Sequence, residues 1–270
     1  MLSKNPNLKF KGIGGRKMID EGLNSIENME KMAVMGFVEV IRHLGFFHNL
    51  TKRVLDKIDN CKPSQIILID YPGFNLRLAK KIKGHCKIPI TYYISPQIWA
   101  WKENRIEIIR KYVDQMLVIF PFEENWYKKR GIQAKFVGHP IFDEWRPTPK
   151  EELCVQLNLK PEKPIITLYP GSRNQEIRRH FPILIQVAKK LRQDNPDIQF
   201  VFGAAQNVNI KKLKIPSWIQ IENNHPQKAL ECASLALIAS GTSTLEAAVF
   251  GTPMIIIYKM SPFSWLVSRV

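Results

Sequence analysis

Short apolar runs rich in branched residues alternate with stretches of helical spacing along most of the chain. QIILID (65–70) has the strand pattern and ends in Asp-Tyr-Pro-Gly, and NLRLAKKIKG follows with Leu78, Ala79 and Ile82 on one helical face. The unit recurs as IPITYYI (88–94) before a segment rich in Trp and Arg, as QMLVIF (115–120) before EENWYKKRG, and as AKFVG (134–138). Strands alternating with helices predict a parallel sheet covered on both faces. From Trp145 to Pro164 the text WRPTPKEELCVQLNLKPEKP holds four prolines and one short helical piece around Leu153 and Leu157, which reads as a connector. Beyond it the alternation restarts with IITLY, a helix through Phe181, Leu184, Ala188 and Leu191, then FVFGA, WIQIE, a helix near Leu230, LALIAS, a helix from Ser243, and MIIIYK. The fold class is therefore α/β, with one domain over 1–147, a connector over 148–163 and a second domain over 164–260.

Composition narrows the setting. A length of 270 residues suits two domains around two cores, and 45% apolar with 24% charged residues is ordinary for a folded globular chain. No run approaches the roughly 20 apolar residues that cross a bilayer. The opening MLSKNPNLKFKG lacks the apolar core of a secretory signal, so a cytoplasmic location is expected. Cys61, Cys86, Cys154 and Cys232 form no CxxC pair, which points to reduced thiols rather than a zinc site or a disulfide framework. Forty basic against twenty-four acidic residues give a net charge of +16, which fits a nucleic acid, an anionic membrane or a phosphorylated substrate without choosing among them.

Open parallel sheets bind ligands at the carboxyl ends of their strands, so loops that follow strands carry the candidate chemistry, with a cleft expected between the two sheets. In LYPGSRNQE, Gly171 lets the backbone come close to a ligand, Ser172 adds a hydroxyl, and Arg173 offers a fork to a diphosphate at a helix start. The local alternative is a capping box of Ser172 with Gln175 and a solvated Arg173. In IASGTSTLEAAVFGTP, the turn Ser240, Gly241, Thr242 offers amides and hydroxyls to a phosphate, and Glu246 stands where a carboxylate accepts the hydroxyls of a ribose. Here the alternative pairs Ser243 with Glu246 as a cap. Neither turn is a GxGxxG or a GxxxxGK[ST], so hydride transfer and ATP hydrolysis have no positive support. In IDYPGFN, Asp70 at a strand's end can remove a proton from an incoming hydroxyl, or simply start the turn before Pro72. Trp99 and Trp101 beside Lys102 and Arg105 can stack on bases or sugars, or pack a core. His139 in FVGHP can reach the cleft or be structural. Finally, in AVMGFVEVIRHLGFFHNL, residues Phe37, Val38, Ile41 and Leu44 keep helical spacing while Val40 and Phe47 widen the apolar stripe. That width suits an interfacial helix touching a membrane or acyl chains, and equally a buried one.

In fixed order, AVMGFVEV, IDYPGFN, SPQIWAW, FVGHP, LYPGSR, and SGTSTLEAAVFGTPM followed by YKMSP resemble the lipid-A-disaccharide synthase family, from about Lys11 to the end of the chain. The resemblance implies a GT-B glycosyltransferase: two Rossmann-like domains whose parallel sheets face each other across a cleft, the acceptor mainly in the first and the UDP-sugar mainly in the second. It implies inverting transfer from UDP-2,3-diacylglucosamine to 2,3-diacylglucosamine 1-phosphate, with no cofactor and no metal. Asp70 becomes the base, Arg173 with the Ser240–Thr242 turn stabilises the leaving diphosphate, and Glu246 holds the ribose. The expected partners are these two substrates, the anionic cytoplasmic face of the inner membrane and a second copy in a homodimer, but no nucleic acid. The resemblance further implies a chain incomplete at both ends, lacking a first strand ahead of LKFKGIGG, with 261–270 starting a helix that crosses back over the domains. The competing readings are another GT-B enzyme using UDP-GlcNAc, such as a cell-wall transferase or a UDP-sugar 2-epimerase, and an inactive membrane-surface or RNA-binding protein. An epimerase needs several acids and bases around the sugar, and only Asp70 and His139 are nominated.

Overall fold

A computed structural model describes residues 7–28, 44–100, 102–205 and 208–259. The chain divides into two compact units, Met1–Phe142 and Asp143–Val270.

The first unit opens with two elements that the apolar pattern does not predict. Strands β1 (Lys11–Gly14) and β2 (Asn24–Asn28), joined through the short helix α1 (Arg16–Asp20), pair in parallel as a sheet of their own. NSIEN has one apolar residue in five, so no periodicity marks it. The main sheet holds β3 (Ile66–Ile69), β4 (Ile90–Tyr93), β5 (Gln115–Val118) and β6 (Ala134–Phe136), parallel and side by side in chain order. Helix α2 (Leu44–Cys61) precedes it, and α3 (Pro72–His85), α4 (Ile106–Tyr112) and α5 (Pro121–Lys128) connect its strands. Proline opens α3 and α5, where its missing N–H costs nothing. β4 is an interior strand, with Ile90 and Tyr92 fully buried in one core with Ile82, Ile109 and Met116, and with the buried Thr91 hydroxyl accepting from Gln65 Nε2 at 2.7 Å. Each such apolar side chain contributes on the order of 1.5–3 kcal/mol. β3 stands at the sheet's margin with Ile67 and Ile69 exposed.

One expected membrane contact is corrected here. Phe47 lies in the core of the first unit at 7% exposure, its ring 5.5 Å from Phe74 and 6.5 Å from Tyr71, so it packs the sheet's cover and is not available to a bilayer. Phe37, Val38, Val40, Ile41 and the side chain of Leu44 lie outside the described residues, as do Trp101 and the expected helix at 261–270.

In the second unit the expected connector carries helix α6 (Lys150–Gln156), whose Leu153 and Cys154 are buried with Leu157 against Ile165, Val201 and Ala229. Its flanks are tied down as well, by Thr148 N–H to Glu231 at 2.6 Å and Lys160 N–H to Gln199 at 2.8 Å. The five-stranded parallel sheet consists of β7 (Ile165–Tyr169), β8 (Gln199–Gly203), β9 (Ile219–Glu222), β10 (Leu235–Ala239) and β11 (Met254–Ile257), in spatial order β11-β10-β7-β8-β9. Helices α7 (Asn174–Asp194), α8 (Gln227–Glu231) and α9 (Thr242–Val249) complete the unit. β7 is buried at all five positions, as a central parallel strand must be. Because the chain adds β8 and β9 on one side of β7 and then β10 and β11 on the other, the order reverses between β7 and β10. Open sheets take ligands at that reversal.

Candidate active site

The two phosphate-friendly turns leave adjacent strands at the same end of the second unit's sheet. Tyr169, the last residue of β7, is in register with Ile238 of β10, so Pro170–Arg173 and Ser240–Thr242 emerge one strand spacing apart, about 4.8 Å. The reversal point and both motifs therefore coincide.

The first turn is built from within. Gly171 has φ +111°, a conformation that a side chain strains, and a Cβ there would come within 2.5 Å of Glu176 Oε2. Glu176 Oε2 accepts the N–H groups of Ser172 and Arg173, both at 3.2 Å, while Oε1 takes the Arg173 guanidinium at 2.7 Å. The cap of α7 is thus Arg173 with Glu176, rather than the Ser172 and Gln175 pair that spacing also allows. Burial alone would raise the Glu176 carboxyl, but the Arg173 side chain and the two backbone donors outweigh it and hold the group below the ordinary glutamate range. Arg173 remains 80% exposed within this ion pair. Two turns' worth of α7 grips this loop: His180, fully buried one turn after Glu176, bonds the Pro170 carbonyl through Nδ1 at 2.8 Å. The Lys259 N–H donates to His180 Nε2 at 3.0 Å, so the ring bridges the Pro170 carbonyl and the chain after β11.

The second turn is tied at its first residue, where the Ser240 N–H donates to the Ile257 carbonyl at 3.0 Å. Helix α9 starts at Thr242 with Gly241 as its cap, and Thr244 Oγ1 donates to the Gly241 carbonyl at 2.7 Å. Ser243 is thus already inside the helix, and no Ser243–Glu246 cap forms. Glu246 is half-buried, and burial pushes its carboxyl above the ordinary value. No described hydrogen bond satisfies it, so it is an acceptor held ready for hydroxyl donors. Tyr169 shares its surroundings: burial and the nearby Glu246 charge both raise the phenol. The Tyr169 ring lies against Gly203, where a Cβ would meet it at 2.6 Å.

In the first unit, Asp70 directly follows β3 with φ +45°, and Tyr71 comes next at +46°. Left-handed backbone at two successive side-chain-bearing residues is held by specific bonds. Asp70 N–H donates to the Tyr93 carbonyl at 2.9 Å, and its own carbonyl accepts Tyr92 Oη at 2.5 Å and Asn75 Nδ2 at 2.7 Å. Ile94, at the end of the neighbouring β4, has φ +62°, a marked outlier for a β-branched residue. Strain concentrated at the carboxyl ends of two neighbouring strands marks a functional edge. The Asp70 side chain itself is exposed, with no described bond to its carboxylate. His139 is on the same edge but beyond β6, three strand spacings from β3, about 14 Å. Its Nδ1 accepts the Ile141 N–H at 3.2 Å. The paired acid and base that an epimerase requires is not assembled from Asp70 and His139.

Sequence reasoning passed over Glu176, His180, Asn75 and Tyr92. Glu176 had a signal, a carboxylate three residues beyond Arg173. The others act through contacts across 5 to 79 residues and have no local signature. Among the described residues no cluster of three or more His, Cys, Asp or Glu side chains could hold a metal ion.

A family model described as Lipid-A-disaccharide synthetase matches residues 1–270. The lipid-A-disaccharide synthase of Coxiella burnetii (strain Dugway 5J108-111) is 40% identical over 272 residues, covering 98% of this chain and 72% of that one. Lipid-A-disaccharide synthase 1 of Legionella pneumophila (strain Paris) is 43% identical over 264 residues, covering 95% and 68%. Among solved structures, the S. aureus MnaA–UDP co-structure superposes with a TM-score of 0.58 at 12% identity, over 96% of this chain and 81% of that one. At that identity the likeness shows the fold alone, an α/β arrangement of the GT-B kind. Matched along its whole length by the family model, and about 40% identical to curated members across nearly all of it, the chain belongs to the lipid-A-disaccharide synthase family of glycosyltransferases.

Proposed function

We propose that the chain transfers 2,3-diacylglucosamine from UDP to the 6-hydroxyl of 2,3-diacylglucosamine 1-phosphate, giving lipid A disaccharide 1-phosphate and UDP with inversion at the anomeric carbon. The observation that carries this reading is the coincidence of both phosphate-friendly turns and the unsatisfied Glu246 at the reversal point of the second unit's sheet. Asp70 takes the proton of the acceptor hydroxyl as its oxygen attacks the anomeric carbon, and the bond from that carbon to the diphosphate oxygen breaks. The leaving diphosphate gains negative charge, which the exposed Arg173 guanidinium and the Gly241 and Thr242 part of the Ser240–Thr242 turn meet. Ser172 adds a hydroxyl beside them, Glu246 accepts the ribose hydroxyls, and His139 contacts substrate at the far margin of the first unit's edge.

Transfer of this kind needs no cofactor and no metal. The net charge of +16 suits phosphorylated substrates and an anionic bilayer, and among the described residues no helix is long and apolar enough to cross a membrane. The protein then works as a peripheral enzyme on the cytoplasmic face of the inner membrane, as a homodimer. The deciding experiment mixes the chain with both substrates in detergent and EDTA and measures UDP release. Release that depends on acceptor establishes metal-free transfer; absence of both release and UDP binding overturns the assignment of the second unit.

A further inference from the structure

The carboxyl edge of the first unit carries a second built feature that the proposed chemistry does not use. Glu123, on the first turn of α5, is completely buried, yet no cation pairs with it among the described residues. Its carboxylate instead accepts three neutral donors: Ser95 Oγ at 2.6 Å, the Trp99 indole N–H at 3.1 Å and the Phe120 backbone N–H at 3.1 Å. Tyr127, one turn further along α5, donates to the Pro96 carbonyl at 3.2 Å. A buried carboxylate is expensive to desolvate unless it is fully bonded, so this hub fixes the loop after β4 firmly.

What the hub presents outward is apolar. The Trp99 ring meets Phe122 edge-on at 5.0 Å, Phe122 stacks with Phe120 at 6.0 Å, and Phe120 lies 6.0 Å from the His139 ring. Trp99 is 38% exposed and Phe122 50% exposed. An exposed tryptophan ordinarily turns its N–H to water, whereas this one is turned inward to a buried carboxylate, leaving hydrocarbon at the surface. The rings stand over the ends of β4 and β5, on the same edge of the same sheet as Asp70.

We propose that the Trp99, Phe122 and Phe120 rings receive an acyl chain of the acceptor lipid, with Glu123 as the positioning residue that holds them. This rests on the reading of Asp70's edge as the acceptor side. The occupant follows from continuity with that edge and from the chemistry of a lipid acceptor: a sugar hydroxyl delivered to Asp70 brings its hydrocarbon tails along the same rim, where the part-exposed Trp99 and Phe122 rings favour methylene groups over water.

The test compares equilibrium binding of 2,3-diacylglucosamine 1-phosphate in long-chain and diacetyl forms to the whole chain and to Trp99→Ala, Phe122→Ala and Glu123→Gln. Trp99→Ala and Phe122→Ala are expected to raise Kd for the long-chain form about tenfold and to leave the diacetyl form and UDP unchanged. Glu123→Gln, which replaces one acceptor oxygen with an amide donor, reproduces the same chain-length-selective loss. If Glu123→Gln melts early, the two surface variants still decide the matter. Equal losses on both acceptors, or no loss on either, overturn the proposal. So does loss of vesicle binding in Trp99→Ala with acceptor affinity intact, which would assign the rings to the bilayer. Chain-length-selective binding by the unaltered chain without any UDP release would instead remove the transferase reading and leave the acyl surface standing.

Discussion

At the scale of single residues, three carboxylates in similar-looking turns have separate fates. Asp70 is exposed and unpaired on a strained backbone, so Asp70→Asn is expected to lower turnover by about a hundredfold to ten-thousandfold while UDP affinity measured by calorimetry stays the same. A similar loss of UDP affinity would remove it from the acceptor side. Glu176 is bonded by its neighbours and held below the ordinary glutamate range, so its contribution to stability is present above the unfolded value of 4.5 and is lost as pH falls through its lower folded value. Glu176→Gln should therefore melt lower than the unaltered chain at neutral pH, with the gap closing in acid. A pH-independent gap would mean that the carboxylate's charge is not what holds the turn. Glu246 has the opposite sign. Burial raises it, so its folded form favours the proton, and its ionisation opposes folding progressively as pH rises above 4.5. Glu246→Gln is expected to raise the melting temperature at neutral pH and weaken UDP binding; gain of stability without loss of affinity would end the ribose assignment. None of these differences was visible from spacing. Two capping pairs fit the turns by spacing, Ser172 with Gln175 and Ser243 with Glu246, and the position of each helix's first residue excluded both.

At the scale of elements, α7 organises the candidate nucleotide end of the second unit. Its first two turns aim Glu176 and His180 at one loop, and His180 also reaches the chain leaving β11, so a single buried ring joins the exits of two strands that flank β10. Replacing it with alanine strands the Pro170 carbonyl and the Lys259 N–H. His180→Ala should lower stability by about 2 kcal/mol or more in urea unfolding, and UDP should bind more weakly in the folded variant. Unchanged UDP affinity would show that the loop keeps its shape without the latch. The alternation of strand and helix was legible because most strands of the two main sheets are compact apolar runs. β1 and β2 were not, since each holds a single branched apolar residue, among glycines and Lys11 in β1 and among polar residues in β2. The helix around Phe47 shows a different limit: an apolar stripe states that a face leaves water, and the same stripe serves a bilayer or a protein core.

At the scale of the whole molecule, the excess of basic residues should bring the protein to anionic vesicles. Cosedimentation is expected in low salt and release at 1 M salt, where the screening length shrinks to about 3 Å. Protein that stays in solution at low salt would count against the peripheral location. The sequence by itself determined the α/β class, the strand that precedes each candidate turn, and the family, because strand patterning is local and the motifs are contiguous. Tertiary structure alone decided that the turns at Gly171 and Gly241 sit side by side on neighbouring strands, and that Asp70 and His139 stand at opposite margins of their sheet. It also decided that Phe47 is buried and that a hidden Glu123 orients Trp99. Those outcomes depend on strand order and on contacts between residues far apart in the chain, which no local pattern records.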